Sequence, residues 1–545
     1  MRHDVSGWTT RLTSEDIDRY GHSGAWRGVT LADCARLQMR MRGDRAAVID
    51  GTRPSSYAEL FDDAHKLAKA FRATGLEPGQ TVSFQLPNWR ETMVINLAAC
   101  LAGLVVNPIV PIYREAEVGY ILKNAGSTVF FVPQVFRNYD YAAMALRLQS
   151  ALPALREIVI VRGEAGGCRT YDALMGAAAA GPAPAKAVDP NAVKLLLYTS
   201  GTTGNAKGVL HSHNTIMSEI DAVIDFWGID SNDVVLMPSP VTHITGYLYA
   251  LEIAFAAGVK VVFMERWDAG RAIDLIIEHG VTFSVGATPF LKELLAETER
   301  RNVTLHSLRL FMSGGAPVPP ELIYRARKQW PQCLTFRVYG STEAPTVTLG
   351  ISSAAETDLG ANTDGRIVNH EVCLCDPLTG APNAFEGEIC TRGPELMLGY
   401  TDWQQTREAF DADGYFHTGD LGYYVAGEYL CVSGRKKDLI IRGGENISPK
   451  EIEDVLHTHP AIKEVAIVAM PHERLQETVC AFVIPHAGAT MDLASIAAFL
   501  QTAGLAKQKC PERIEIVDDL PRTASGKVQK NVLRDQIAAR ISSGQ

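Results

Sequence analysis

Residues Leu196 to Gly208 read LLYTSGTTGNAKG and set four Ser/Thr hydroxyls, three glycines and one lysine directly behind an apolar run. Glycine lets a backbone approach a polyanion closely, hydroxyls donate to phosphate oxygens, and a lysine adds a point charge. The stretch therefore suits the phosphates of a nucleotide. It is not a Walker loop, which needs Gly before the lysine and Ser or Thr after it; here Ala206 precedes Lys207 and Gly208 follows. Downstream, GVLHSH has strand character and Asn214 is expected to cap the next helix, so the loop should join two strands. Alone, such a loop reads better as a solvated hairpin.

The elements that must position this loop alternate along the chain. Ser56 is expected to cap a helix with Tyr57, Leu60, Phe61, Ala64, Leu67, Ala68 and Phe71 on one face, stopped by GLEPGQ before the strand TVSFQL. STVFFV, REIVIV, DVVLMP, VKVVFM, VTFSVG, LRLFMS and LTFRVYG are further short strand-like runs, mostly with helical stretches between them. This order implies an α/β fold with mostly parallel sheets covered by helices. From about residue 365 to 433 short strands and turns (DPLTGAP, FEGE, DADGY, VAGEY) imply a small β-rich, barrel-like subdomain. A mixed α+β region follows SGRKKDLI. A boundary at Arg435 to Asp438 divides a large N-terminal domain, 1–436, from a small C-terminal domain, 437–545.

The 545 residues, 46% apolar and 21% charged, provide for several cores, and a net charge of −10 argues against nucleic acid as a partner. The apolar run Met93 to Val106 contains Asn96 and is too short to span a bilayer, and the N-terminus lacks a signal-peptide core. A cytoplasmic protein with no membrane partner is expected. Ten cysteines occur without a CxxC pair; Cys373 and Cys375 should share one strand face, and reduced buried thiols are expected.

Five further stretches join the loop: SGGAPV (from Ser313), VYGSTEAP (from Val338), YFHTGDLG (from Tyr415), GRKKDLIIRGGENISPKEIE (from Gly434) and PRTASGKVQK (from Pro521). In this order and spacing the chain resembles the adenylate-forming (ANL) superfamily over nearly its whole length, and within it the acyl-CoA synthetases. QLPNWRE and NPIVPIYREAEVGYIL resemble cyclohexanecarboxylate-CoA ligases and related short- and medium-chain or aryl acid ligases.

The resemblance implies ATP-dependent activation of a carboxylic acid through an acyl-adenylate, with release of pyrophosphate and then AMP. ATP, Mg2+ and coenzyme A are the implied reactants and ion. Thr199, Ser200, Gly201, Thr202, Thr203, Gly204 and Lys207 would cradle the β and γ phosphates. Thr342 would bind the α-phosphate within Tyr339, Gly340, Ser341 and Thr342, and Glu343 would ligate magnesium. Gly314, Gly315, Ala316 and Pro317 would line the adenine slot, with Tyr339 stacked on the base or simply part of the core. Asp420 and Arg435 would hold the ribose. Lys527 would bridge the carboxylate and the α-phosphate, Lys437 would be the hinge of a mobile C-terminal domain, and Gly443, Gly444 and Glu445 would border the CoA tunnel.

His243, in PVTHITGY, reads as a pocket wall or gate, or as a core histidine; a carboxylate nucleophile needs no base. The segment has no Asp to hold an α-amino group, unlike amino-acid-activating relatives. Ile244, Tyr247, Gly314, Val338 and Thr346 would wall a pocket with no cation for a second carboxylate, implying a hydrophobic or aryl monoacid. A separate carrier protein as acyl acceptor is the alternative. The broken Walker pattern disfavours a P-loop ATPase, and GHSGA is not a hydrolase elbow. The protein is expected as a monomer or homodimer.

Overall fold

The computed structural model describes residues 1–176, 187–199, 206–377, 379–522 and 528–543. Two compact units emerge, Met1–Glu371 with Arg392–Phe416, and Val372–Thr391 with His417–Gln545.

The first unit holds an eight-stranded and a seven-stranded sheet. In the seven-stranded sheet Leu334–Val338, Leu310–Gly314, Phe283–Gly286, Val234–Met237, Lys260–Phe263 and Ala46–Asp50 run parallel, and Arg53–Ser56 turns back antiparallel at the edge. In the eight-stranded sheet Val193–Thr199 pairs antiparallel with Lys207–Ser212, which pairs antiparallel with Gly399–Tyr400. The expected strands are all present, because each is a β-branched or aromatic run bounded by turn residues.

Ser56 caps the helix Tyr57–Ala73 through a reciprocal bond with Glu59. Tyr57, Leu60, Ala64, Leu67, Ala68 and Phe71 are buried, each large side chain contributing about 1.5–3 kcal/mol, while Phe61 is only half-buried at the edge of the stripe. Arg90–Ala102 is buried on nearly every side, which explains its mostly apolar run from Met93 onward. Asn214 does not cap the next helix. Ser212 does, its hydroxyl accepting from Thr215 N at 3.2 Å, and Asn214 sits one residue inside His213–Trp227 with its amide on Asn191. Ser212 ends the strand in extended backbone (φ −94°, ψ 175°), the conformation a cap needs.

In the second unit Glu371–Cys375, Glu386–Arg392, Phe416–Val425 and Tyr429–Arg435 form an open four-stranded sheet. The barrel-like expectation is corrected here: four strands in linear order are too few to wrap a filled interior. A five-stranded sheet follows, in which Val465, Ile467 and Ala469 feed one core and Ala466, Val468 and Met470 the other. Helices Pro449–Leu456 and Leu493–Thr502 contribute to the first core, and Lys530–Ser542 to the second. No disulfide joins any of the ten cysteines. No helix among the described residues is long and apolar enough to cross a membrane.

Candidate functional site

In the first unit Thr199 stands opposite Lys207 in an antiparallel pair, so the glycine- and threonine-rich loop connects two strands of one hairpin. Ser200, Gly201, Thr202, Thr203 and Gly204 lie outside the described residues. The register Val209 opposite Tyr400 brings Tyr400 beside the hairpin, and Lys207 Nζ lies 4.8 Å from its ring centroid. The Tyr400 hydroxyl donates to Glu343 Oε1 at 3.0 Å. A cation, a phenol and a carboxylate thus follow one another. Burial, and then Glu343 beside it, keep the phenol protonated.

The main chain at Thr342 and Glu343 is pinned. His211 Nε2 donates to the Thr342 carbonyl at 2.8 Å and Met397 N to the Glu343 carbonyl at 2.9 Å. Both side chains remain half-buried and available to a ligand. Burial lowers the His211 pKa to about 4, so the ring is neutral; because Nε2 donates, Nδ1 accepts from Thr215 Oγ1 at 3.1 Å. The unfolded chain takes up a proton near 6.5 and the folded chain only near 4. More protons are therefore bound by the unfolded state in that window, and stability is lost as pH falls through it, by roughly 3 kcal/mol. His211→Gln keeps a donor but does not titrate. It should flatten the acid side of the stability curve from urea melts; an unchanged slope would remove His211 from this role.

The proposed adenine segment lies at the carboxyl ends of two adjacent parallel strands, with Gly314 opposite Val338. Open α/β sheets bind ligands at such ends. A Cβ on Gly314 would stand 2.8 Å from the Val338 carbonyl oxygen, so the two chains touch directly. Gly315, Ala316 and Pro317 are exposed on the loop that follows. Tyr339 is half-buried, its N donating to Thr348 Oγ1 at 2.8 Å. Behind it, Ser341 N bonds Ala344 O at 2.8 Å, and a Cβ on Gly340 would stand 1.9 Å from Pro345 O. Only glycine fits that turn.

His243 is exposed and caps the short helix Ile244–Gly246, which overturns its reading as a core histidine. Ile244 and Tyr247 are buried, and the Tyr247 hydroxyl donates to Asn96 Oδ1 at 2.7 Å. Asn96 in turn donates to Glu252, which also holds the buried Lys194 at 2.7 Å. The charge of Lys194, which lies beside Tyr247, is thus already neutralised. Thr346 bonds Glu219, as does Tyr249.

In the second unit Asp420 faces Arg435 across an antiparallel pair, at 3.0 Å. Lys437 lies in the short 3-10 turn Lys436–Asp438; its carbonyl accepts from Arg534 Nη1 at 2.8 Å. Burial, and then Arg435, lower its ammonium pKa. Gly443 and Gly444, at φ 57° and 93°, form the two-residue turn between Ile440–Arg442 and Glu445–Ile447, with Glu445 opposite Arg442 and exposed. Both positions need positive φ, so the turn alone accounts for both glycines. Lys527 lies outside the described residues.

Residues 35–401 match the family model described as AMP-binding enzyme, and 451–527 the one described as AMP-binding enzyme C-terminal domain. The chain belongs to this family, among the acyl-CoA synthetases. It is 35% identical to the medium-chain fatty-acid–CoA ligase of Escherichia coli K12, over 96% of this chain and 93% of that one. Its identity to the 2,3-dihydroxybenzoate-AMP ligase of Bacillus subtilis 168 is 30%, over 98% of both. The crystal structure of ATP-bound MatB from Rhodopseudomonas palustris superposes with a TM-score of 0.80 at 29% identity, covering 93% of this chain and 99% of that one. In this synthetase His211 and Tyr400 escaped the sequence reading. Tyr400 sits nearly two hundred residues from Lys207 in sequence, and only the strand pairing reveals it.

Proposed function

We propose that the synthetase converts a hydrophobic alicyclic, medium-chain or aryl monoacid to its CoA thioester through an acyl-adenylate. The carboxylate oxygen attacks the α-phosphorus of ATP and the bond to pyrophosphate breaks. The CoA sulfur then attacks the acyl carbon and AMP leaves. The observation that carries the reading is the sequence Lys207, Tyr400, Glu343 beside a pinned Thr342. It sets a cation, a carboxylate and a hydroxyl where a polyphosphate needs charge and donors. Glu343 fits magnesium: it is a half-buried carboxylate whose Oε1 accepts from a neutral phenol, and hard cations take such oxygens. The ion would neutralise phosphate charge. In the second unit Asp420 and Arg435 are assigned to ribose, Gly443 to Glu445 to CoA, and Lys437 to the hinge at which the 437–545 domain begins.

The monoacid preference is supported by Tyr247 and Lys194, whose polar ends are engaged by Asn96 and Glu252, so Lys194 is not on offer to a second carboxylate. A second reading, transfer to a carrier protein, is favoured by a 33% identical relative from Mycobacterium tuberculosis named salicyl-AMP ligase / salicyl-S-ArCP synthetase. A panel of carboxylic acids assayed for AMP release with and without CoA separates the two. CoA-dependent turnover on a hydrophobic monoacid is expected; adenylate formation with no thioester from CoA would overturn the ligase assignment. Glu343→Gln keeps the size and removes the charge. Activity should fall roughly tenfold or more at low magnesium and recover in part at high magnesium; an unchanged magnesium dependence would return Glu343 to a structural role.

A further inference from the structure

Three thiols from two strands converge in the four-stranded sheet of the second unit. Cys373 and Cys375 alternate along Glu371–Cys375, so their side chains share a face, and their Sγ atoms lie 4.0 Å apart. Cys390 joins them from Glu386–Arg392, and the three sulfurs all lie within 4.8 Å of one another. On its other side Cys390 Sγ is 3.4 Å from Nδ1 of His417, and that nitrogen is 3.3 Å from Glu388 Oε2. Lys436 Nζ holds the same carboxylate oxygen at 2.9 Å. Cys375 and Cys390 are buried, and Cys373 is partly so.

Apolar packing does not call for this choice. Strands are better filled by Val, Ile or aromatic residues. What three thiols provide is a soft donor set. A tetrahedral zinc ion with bonds of about 2.3 Å to sulfur places two sulfurs roughly 3.8 Å apart. The observed 4.0 Å between Cys373 and Cys375 is within a few tenths of an ångström of the sulfur span, and Cys390 lies within 4.8 Å of both, while His417 Nδ1 groups with Cys390 and Glu388 on the far side of Cys390. We propose that Cys373, Cys375 and Cys390 form a three-thiolate site for a soft divalent cation, Zn2+, with His417 packed against Cys390 outside the thiolate triad.

Binding converts three thiols and Zn2+ into a tris-thiolate complex of net charge −1 and releases three protons to solvent. Because each sulfur binds as a thiolate, affinity must rise with pH. Thiolates select zinc or cuprous ions over magnesium, so this site is chemically distinct from the Glu343 carboxylate. Strand Phe416–Val425 carries both His417 and Asp420, so an ion on Cys390 would act on the strand assigned to ribose through the His417 contact.

The test uses the full chain, reduced and stripped with a chelator, then titrated with Co2+ as a spectroscopic stand-in for zinc. One Co2+ per chain is expected, with a thiolate-to-cobalt charge-transfer band in the near ultraviolet that Zn2+ abolishes, and about three protons released per ion in weak buffer. Cys375→Ser should weaken binding at least about tenfold, judged by the effect of even second-shell losses. Cys373→Ala provides the same test should the first variant fail to fold, as judged by circular dichroism. Cys34→Ser, on helix Leu31–Arg42 of the first unit, should leave the titration unchanged. Absence of the charge-transfer band in the native sequence, or folded Cys375→Ser or Cys373→Ala binding as tightly as the native sequence, overturns the proposal.

Discussion

Lys527→Ala should slow acyl-adenylate formation by roughly a hundredfold or more, the usual cost of losing a charge that acts on the transition state. The first half-reaction brings a carboxylate against a polyphosphate, and both carry negative charge. On the proposed assignment Lys207 and an ion at Glu343 would act on the phosphates, and the incoming carboxylate would need a cation of its own. In the first unit the buried Lys194 is held by Glu252 and does not supply one. Lys527 lies in TASGK, and the match to the C-terminal family domain ends on it. A compact ammonium with three donors suits a contact to two different oxyanions. Single-turnover quenched flow with ATP and acid measures the first step, and supplied acyl-adenylate with CoA measures the second. The second should proceed at a near-native rate, because the acyl–phosphate anhydride is already formed. Equal losses in both steps would remove Lys527 from the bridging role.

How far the sequence reaches depends on whether a feature is local. The strands were legible because each is a short run with its own boundary residues, and Ser56 because its partner Glu59 is three residues away. The pairing of Val193–Thr199 with Lys207–Ser212 was legible for the same reason. Asn214 misled because Ser212, His213 and Asn214 are all polar, and the choice of cap depends on where the preceding strand ends. His211 and Tyr400 were not legible: one acts through the Thr342 carbonyl and the other through a strand pair 190 residues distant in the chain. Neither contact has a periodicity. The buried set of Asn96, Lys194, Tyr247 and Glu252 was likewise hidden, since its members come from three elements far apart in sequence and only their sum neutralises the charge. Gly443 and Gly444 show the opposite case, where a residue pattern has a sufficient structural cause in its turn.

Lys437→Pro should leave the first half-reaction nearly intact and slow the second at least tenfold, an effect of about 1.4 kcal/mol or more on one barrier only. Hinges work by changing φ and ψ at a few positions. Lys437 occupies the middle of the turn Lys436–Asp438, where a 3-10 conformation sets φ between about −50° and −70°. Proline is locked near −65°, so it fits this turn and opposes any departure from it. Its ring also disfavours a helical Lys436, which adds a cost that a thermal melt would detect. Adenylation follows ATP binding with no main-chain turn required at this residue. If Lys527 bridges the carboxylate and the α-phosphate, thioester formation would need it moved aside for a thiol, and in the hinge reading that movement would pass through Lys437. Single-turnover pyrophosphate release should therefore be near normal, while acyl-CoA appears slowly even at saturating CoA. If acyl-adenylate is consumed by CoA at the native rate in the proline variant, the pivot lies elsewhere or the second step proceeds without one. If both steps fall together while the melting temperature drops, the turn is a structural element of the second unit and the hinge assignment fails.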